Sequence, residues 1–238
     1  MKKIRKTNPP IELLEWIQVQ QENDLEVNYS VLQGKPAHIA LKAKLLKEQG
    51  YLCAYTGLKI STKTSHIEHL KPQNPEDPEI ERVYLEDVYY RNVVACFPKD
   101  EKDTSTGFGA TYKGNWWSKE EFVSPCQEDC ERRFSFNWNG KVSPTFAGDN
   151  AAIKTIQILG LNKDPNSNQY SQNGTYHIQD RRHNAIKAFF GFSKNPKIKP
   201  LNQAEAKILL RTIGIPDPSG HLKEFCFVFE QLLPKFIT

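Results

Sequence analysis

The segment HIEHLKP, residues 66–72, places two histidines and a carboxylate within four positions. If Ile67 and Leu70 anchor a short strand or turn, Glu68 and His69 lie side by side. A carboxylate can hold a hard divalent cation, and an adjacent imidazole can deprotonate a water molecule. This pair suits the hydrolysis of a phosphodiester bond. The alternative is a plain polar loop that leads into a proline-rich segment.

The composition of the whole chain fits a soluble globular protein. It has 238 residues, 38% hydrophobic and 25% charged, which suggests one large domain or two small ones and excludes disorder as the main state. The net charge of +4 permits contact with nucleic acid without demanding it. The basic N-terminus is followed by prolines and glutamates instead of an apolar stretch, and no run approaches 18 apolar residues. We therefore expect a cytoplasmic protein that does not span a membrane.

The N-terminal part of the chain is predicted to be helical. Ile11, Leu13, Leu14 and Ile17 would share one side of a short amphipathic helix, and a second helix is predicted at residues 37–49, ending at Gly50. Between residues 51 and 117 the pattern changes, because a glycine and several prolines interrupt short apolar segments. This predicts loops around small strands, where functional residues tend to lie.

A β-hairpin is predicted at residues 133–142. Phe134, Phe136 and Trp138 alternate with polar residues, so they would share one face of a strand. Asn139 and Gly140 would form a two-residue turn with positive φ. The small β-rich centre of the protein therefore includes this hairpin.

The C-terminal part is again predicted to be helical. The first helix, residues 151–159, would begin after Asp149 or Asn150 as N-cap and end at Gly160. Further helices are predicted at 176–190, 203–213 and 221–236, the last with a break at Pro234. The resulting fold class is α+β, with an N-terminal helical segment (1–50), a central β-rich unit (51–147) and a C-terminal helical domain (148–238).

The order of the central motifs resembles that of HNH endonucleases, which have a ββα-metal core. After CAYTG (53–57) and HIEHLKP come YRNVVAC (90–96) and GFGATYKG (107–114). Together with SPCQEDCERRFSFNWNGKVSP (124–144) and IQILGLN (156–162), this order is similar to PtuB-like HNH nucleases of Septu and retron-associated antiphage systems. The resemblance extends over about residues 45–161.

The resemblance implies a role for each residue that matches the family motif. His69 would be the general base that activates water, and Glu68 the metal ligand beside it. Asn92 occupies the middle HNH position, and its amide would hold the His69 ring. His66 would be a metal ligand, a phosphate contact or a residue that supports another ligand. A single Mg²⁺ or Mn²⁺ ion is the cofactor expected for such a site.

The chain also departs from the family pattern. Thr56 replaces the second cysteine of the first zinc knuckle, and no cysteine closely follows Cys96. Cys53 and Cys96 cannot complete a four-ligand site, so a structural zinc is not expected. Tyr112 stands where a third metal-binding histidine is usual. The third ligand could then be Asn115 or His66, or the affinity for the metal could be weak.

The resemblance further implies a nucleic-acid substrate, with DNA favoured over RNA, and a PtuA-like ATPase as partner. The helices outside residues 51–147 are candidates for docking that ATPase. A basic stretch that begins at Arg181 and continues to Lys199 would contact the phosphate backbone, although a solvated helix face is the alternative. The predicted nucleic-acid contacts are Lys71, Lys113, Arg181, Arg182 and Lys187. The competing interpretation of the whole chain is a degenerate HNH module that binds the ATPase or nucleic acid without cutting.

Overall fold

A computed structural model describes residues 1–162, 177–192 and 199–237 of the chain. It is a mixture of helices and small antiparallel sheets, in agreement with the predicted α+β class. The helices are α1 (Ile11–Glu22), α2 (Tyr29–Leu32), α3 (Pro36–Glu48), α4 (Ala110–Lys113), α5 (Asn150–Ile158), α6 (Ile178–Phe190), α7 (Gln203–Thr212) and α8 (Cys226–Ile237). The strands are β1 (His66–His69), β2 (Val93–Cys96), β3 (Phe134–Phe136) and β4 (Val142–Pro144).

Strands β1 and β2 form the sheet that carries the HIEHLKP segment. They are antiparallel, with His66 opposite Cys96 and His69 opposite Val93. The side chain of Gln49, just after α3, donates to the carbonyl of Ala95 at 2.8 Å and accepts from its amide at 2.7 Å. This side chain satisfies the backbone of β2 and fixes α3 to the sheet.

The predicted β-hairpin is confirmed, but its turn differs from the prediction. Strands β3 and β4 pair antiparallel, with Phe136 opposite Val142. The amide of Gly140 donates to the carbonyl of Asn137, and only Gly140 of the two predicted turn residues has positive φ, at 76°. Asn137 and Asn139 both accept from the amide of Lys141, which closes a longer loop in place of the two-residue turn.

Most predicted helices are confirmed, and their ends follow the expected capping. Asp149 accepts from Ala152 at the start of α5, and Asn202 forms a capping box with Glu205 at the start of α7. Helix α6 begins at Ile178, and the predicted start at Tyr176 lies outside the described residues.

Three details of the helix predictions are wrong. In α1 Leu13 is buried, whereas Ile11 and Leu14 are exposed, so the four apolar residues do not share one buried side. Helix α8 starts at Cys226, five residues later than predicted, because Phe225 has φ of 56°. Pro234 lies inside α8 without ending it, since a proline in the last turn removes only one backbone hydrogen bond.

A single cluster of buried hydrophobic side chains includes residues from all three predicted segments, among them Leu45, Val94 and Val228. The side chain of Gln231 on α8 donates to the carbonyl of Phe134 at 2.9 Å and accepts from the amide of Phe136 at 3.1 Å. Helix α8 is therefore joined to the edge of the hairpin. None of the helices within the described ranges is long and apolar enough to cross a membrane.

Candidate active site

Strand β1 determines which of its polar side chains meet. Residues two apart on a strand point to the same face, so His66 and Glu68 are neighbours while His69 points to the other face. His66 Nε2 lies 3.6 Å from Glu68 Oε2. The expectation that Glu68 would be side by side with His69 is therefore replaced by a direct His66–Glu68 pair.

The Glu68 carboxylate is largely buried and has three polar neighbours. In addition to His66, its Oε1 accepts from Lys113 Nζ at 3.0 Å and from the Tyr55 hydroxyl at 3.3 Å. Burial acts to raise the pKa of Glu68, but the charges and hydrogen bonds of Lys113 and His66 outweigh it and lower the pKa. Glu68 is therefore ionised at neutral pH.

Lys113, the last residue of α4, points into the protein. Its side chain is fully inaccessible to solvent, and Nζ also lies 3.4 Å from the carbonyl of His69 and 3.3 Å from that of Gly114. Lys113 was predicted to contact nucleic acid, but its charge is enclosed in the protein and paired with Glu68. The sequence placed a lysine near the site but did not show that it was buried.

The His69 ring is held by the backbone. Nε2 lies 2.9 Å from the carbonyl of Asp87, in the 3₁₀ segment Tyr84–Val88. A carbonyl only accepts, so Nε2 carries the proton and Nδ1 keeps its lone pair. The ring of Tyr29 meets the His69 ring edge to face, with 4.7 Å between centroids. Burial lowers the pKa of His69, although the Asp87 carbonyl acts to raise it, so the ring is neutral at pH 7.

The pKa of His66 is shifted in the opposite direction from that of His69. Its Nδ1 donates to the carbonyl of Pro98, which leaves Nε2 directed at Glu68. Burial alone would lower the pKa of His66, but the bonds to Glu68 and to Pro98 raise it. The two histidines of β1 therefore differ: His69 is held as a neutral base, and His66 is biased toward the cation.

Asn92 does not hold the His69 ring as predicted. Its Nδ2 donates to the carbonyls of Lys71 and Glu86, at 3.0 and 3.2 Å, and its Oδ1 accepts from the amide of Lys71 at 2.8 Å. It therefore joins the chain that leaves β1 to the 3₁₀ segment that contains Asp87. Because the Asp87 carbonyl holds His69, Asn92 acts on the ring indirectly.

The residues at the site do not fit a divalent cation well. Asn115 is exposed, and its carbonyl accepts from the amide of Glu76, so no contact brings it to Glu68. Among the residues that the structure describes, no group of three or more His, Cys, Asp or Glu side chains could hold a metal ion. Glu68 and His66 remain as two possible ligands, and Glu68 is already paired with Lys113.

Cys53 and Cys96, the last residue of β2, are buried next to each other. Cys53 Sγ accepts from the amide of Phe97 at 3.4 Å. Burial acts to raise the pKa of Cys53, but hydrogen bonds from Cys96 and Thr56 outweigh it and lower the pKa to about 6. Thr56, which replaces a cysteine of the family pattern, is thus a hydrogen-bond partner of Cys53.

Arg182, which was predicted to contact nucleic acid, is enclosed within the protein. It is 2% exposed, its Nε donates to the carbonyl of Gly140 at 2.8 Å, and its Nη2 donates to the carbonyl of Leu161. Burial lowers the pKa of Arg182 to about 9. The residue instead holds the hairpin turn against the end of α5.

The other basic residues differ in exposure. Lys187 is exposed on α6, and Arg181 is half-buried with its guanidinium 5.9 Å from the Phe97 ring. Lys71 forms an ion pair with Glu86 at 2.6 Å and lies 5.8 Å from the Trp117 ring. Lys199 is exposed, whereas Lys194 and Lys197, in the same predicted basic stretch, lie outside the described residues.

Sequence reasoning missed three residues that shape the site. Tyr55 hydrogen-bonds Glu68, Tyr29 packs on the His69 ring, and Asp87 supplies the carbonyl that fixes His69. Tyr55 lies inside the CAYTG segment that the resemblance had already marked. The other two act through tertiary contacts that leave no local sequence signal.

Comparison with known proteins supports the HNH assignment at a coarse level. Over 160 residues the chain is 24% identical to a Vibrio cholerae serotype O1 biovar El Tor protein named "Retron Vc95 putative HNH endonuclease". The match covers 66% of this chain and 74% of the relative. No family model matches the chain. The similarity supports the HNH superfamily and a nuclease role in general.

Proposed function

We propose that the protein is an HNH endonuclease that hydrolyses phosphodiester bonds in nucleic acid, with His69 as general base. The observation that carries this proposal is the hydrogen bond from His69 Nε2 to the Asp87 carbonyl at 2.9 Å. It leaves Nδ1 as the proton acceptor, and burial keeps the ring neutral at pH 7.

In the proposed reaction, His69 Nδ1 takes a proton from water as the water oxygen attacks phosphorus. The bond from phosphorus to the leaving sugar oxygen then breaks, and that oxygen takes up a proton from solvent. His66 and Lys113 contact Glu68 on the face of β1 opposite to His69, so neither is assigned a contact with the phosphate.

The resemblance also implies Mg²⁺ or Mn²⁺, which in such nucleases stabilises charge on the phosphate. The residues found around Glu68 do not fit that ion, so no step above depends on it.

We further propose that the substrate is DNA, with RNA as the alternative, and that the protein is an effector of prokaryotic antiphage defence in the cytoplasm. The support is the motif order shared with PtuB-like nucleases and the retron name of the similar Vibrio cholerae protein. The proposed partner is a PtuA-like ATPase. Helix α1, which exposes Ile11 and Leu14, is a candidate docking element because it lies outside residues 51–147.

The test is cleavage of supercoiled plasmid and of tRNA by the purified protein, with Mn²⁺ or with EDTA, and with and without the ATPase. His69→Ala should lower the rate by about 10²–10⁴-fold, because a general base contributes that much. His221→Ala is the matched control, since this half-buried histidine contacts Asp217 and Tyr51 instead of the site. Full activity in His69→Ala would overturn the assignment of the base.

A second candidate function is a non-cutting module that binds the ATPase or nucleic acid. The specific observation in its favour is the ion pair between Lys113 and Glu68, which engages the only carboxylate on β1. Under this alternative no substrate is cleaved in any condition, partner included, while filter binding still detects a complex. Cleavage that is lost in His69→Ala would exclude it.

A further inference from the structure

The ammonium of Lys113 is enclosed by three oxygen atoms. Glu68 Oε1 lies 3.0 Å away, the carbonyl of Gly114 3.3 Å and the carbonyl of His69 3.4 Å. An ammonium has three N–H donors, so each donor has one acceptor. With no solvent access to the side chain, these contacts replace its hydration.

A carboxylate oxygen with two backbone carbonyl oxygens is also a ligand set that suits a hard divalent cation. Here the ammonium occupies it. An ion bound to Glu68 from the other side would lie close to Lys113, and two positive centres a few ångströms apart in a buried site repel strongly. Pairing with Lys113 and binding of a divalent ion therefore compete for the Glu68 carboxylate.

Within the part of the chain that the structure describes, no second carboxylate joins Glu68 in a metal-binding group. Asp87 lies in the 3₁₀ segment that contacts His69, but its Oδ2 accepts from Arg82 at 2.9 Å and from Gln73 at 3.2 Å. Its backbone carbonyl, and not its carboxylate, contacts His69. The negative charge at the site is thus that of Glu68, which one lysine neutralises.

We propose that Lys113 is a built-in cation that takes the place of a divalent metal ion at Glu68. The protein then binds Mn²⁺ at this site weakly or not at all, and removing the lysine side chain opens an oxygen-lined metal site. The consequence for catalysis, hydrolysis without a divalent ion at Glu68, rests on the proposed function. The consequence for metal binding does not.

Metal binding is tested with Mn²⁺ alone, by titration calorimetry and by the loss of the free-ion electron paramagnetic resonance signal. The wild-type protein and Glu68→Gln should bind Mn²⁺ equally, because Glu68 is not used. Lys113→Ala should gain one site, at least tenfold tighter than any in the wild type, and the added substitution Glu68→Gln should abolish it. Lys113→Met fills the space without a charge and should gain no site, and Lys141→Ala, at an exposed lysine of the hairpin loop, is the matched control.

One stoichiometric Mn²⁺ in the wild type that disappears in Glu68→Gln would overturn the proposal. This comparison decides the question even if Lys113→Ala does not fold. A folded Lys113→Ala variant with no gain in Mn²⁺ binding would also contradict it.

The catalytic consequence is tested by cleavage in EDTA and in Mn²⁺. Wild-type cleavage should differ by no more than about twofold between the two conditions, because Lys113 keeps a divalent ion away from Glu68. Wild-type cleavage abolished by EDTA would refute the role of Lys113 as the cation. If the wild type cuts nothing, the proposed function fails, and the Mn²⁺ titrations still decide what occupies the Glu68 site.

Discussion

Asn92 is expected to affect both stability and activity, through the three hydrogen bonds that join Lys71 and Glu86. Asn92→Ala removes all three and leaves three backbone groups without their partner. The segment that follows β1 then separates from the 3₁₀ segment whose Asp87 carbonyl orients His69. The His69 ring, the proposed base, then loses its fixed position although neither His69 nor Asp87 has changed.

The size of the effect follows from the number of bonds. At about 0.5–1.5 kcal/mol for each net hydrogen bond, the three bonds of Asn92 correspond to about 2–4 kcal/mol. For a protein of this size, that lowers Tm by about 4–16 °C. A displacement of about 1 Å in a catalytic group can cost about 10²-fold in rate, so we expect kcat to fall by about 10–100-fold below the melting range.

Asn162 provides the matched control. Its Oδ1 accepts from the amide of Val142 at 2.9 Å and its Nδ2 donates to the carbonyl of Val142 at 2.7 Å. Asn162→Ala should therefore cost about 1–3 kcal/mol by the same reasoning. Because these bonds hold the hairpin and not the His69 environment, kcat should stay within about twofold of the wild type.

The measurements are thermal unfolding followed by circular dichroism and plasmid cleavage at 25 °C. Equal losses of kcat in Asn92→Ala and Asn162→Ala would show that general destabilisation explains both. An Asn92→Ala variant with wild-type Tm would show that its three hydrogen bonds are not formed in solution. Either result would refute the argument that Asn92 positions the base through Asp87.

Three further predictions follow from the geometry of the site and of the core. Since burial lowers the pKa of His69, its Nδ1 stays unprotonated as pH falls through 6.5, and the acid limb of kcat/KM should lie below that value; a limb above pH 6.5 would contradict it. Arg182→Met leaves the carbonyls of Gly140 and Leu161 without donors and should cost about 2–4 kcal/mol in urea unfolding, while filter binding shows unchanged affinity for DNA. Metal analysis of the purified protein should find zinc well below one per chain, because Cys53 and Cys96 offer only two thiolates, and one zinc per chain would refute this.

Local patterns in the sequence were sufficient to predict most of the helices and strands. The alternation of Phe134 and Phe136 predicted the hairpin, and Asp149 marked the start of α5 because capping depends on neighbouring backbone groups. The prediction of a two-residue turn was wrong because the amide of Lys141 donates to the side chains of Asn137 and Asn139. The dipeptide Asn139-Gly140 alone does not reveal these hydrogen bonds.

For the site, the sequence identified the right segment but not its contacts. HIEHLKP forms β1, yet the period of two on a strand pairs Glu68 with His66 and separates it from His69. Lys113 and Arg182 were predicted at the surface because charged residues are usually solvated. Their partners lie far along the chain, so their burial follows only from the fold.

The contact between Gln231 and β3 limits how this protein can diversify. Its amide supplies both a donor and an acceptor to the outer edge of a strand about a hundred positions earlier in the chain, and Lys2 pairs with Glu230 beside it. Segments exchanged between relatives at residue 51 or 148 would bring together contact surfaces that do not match each other.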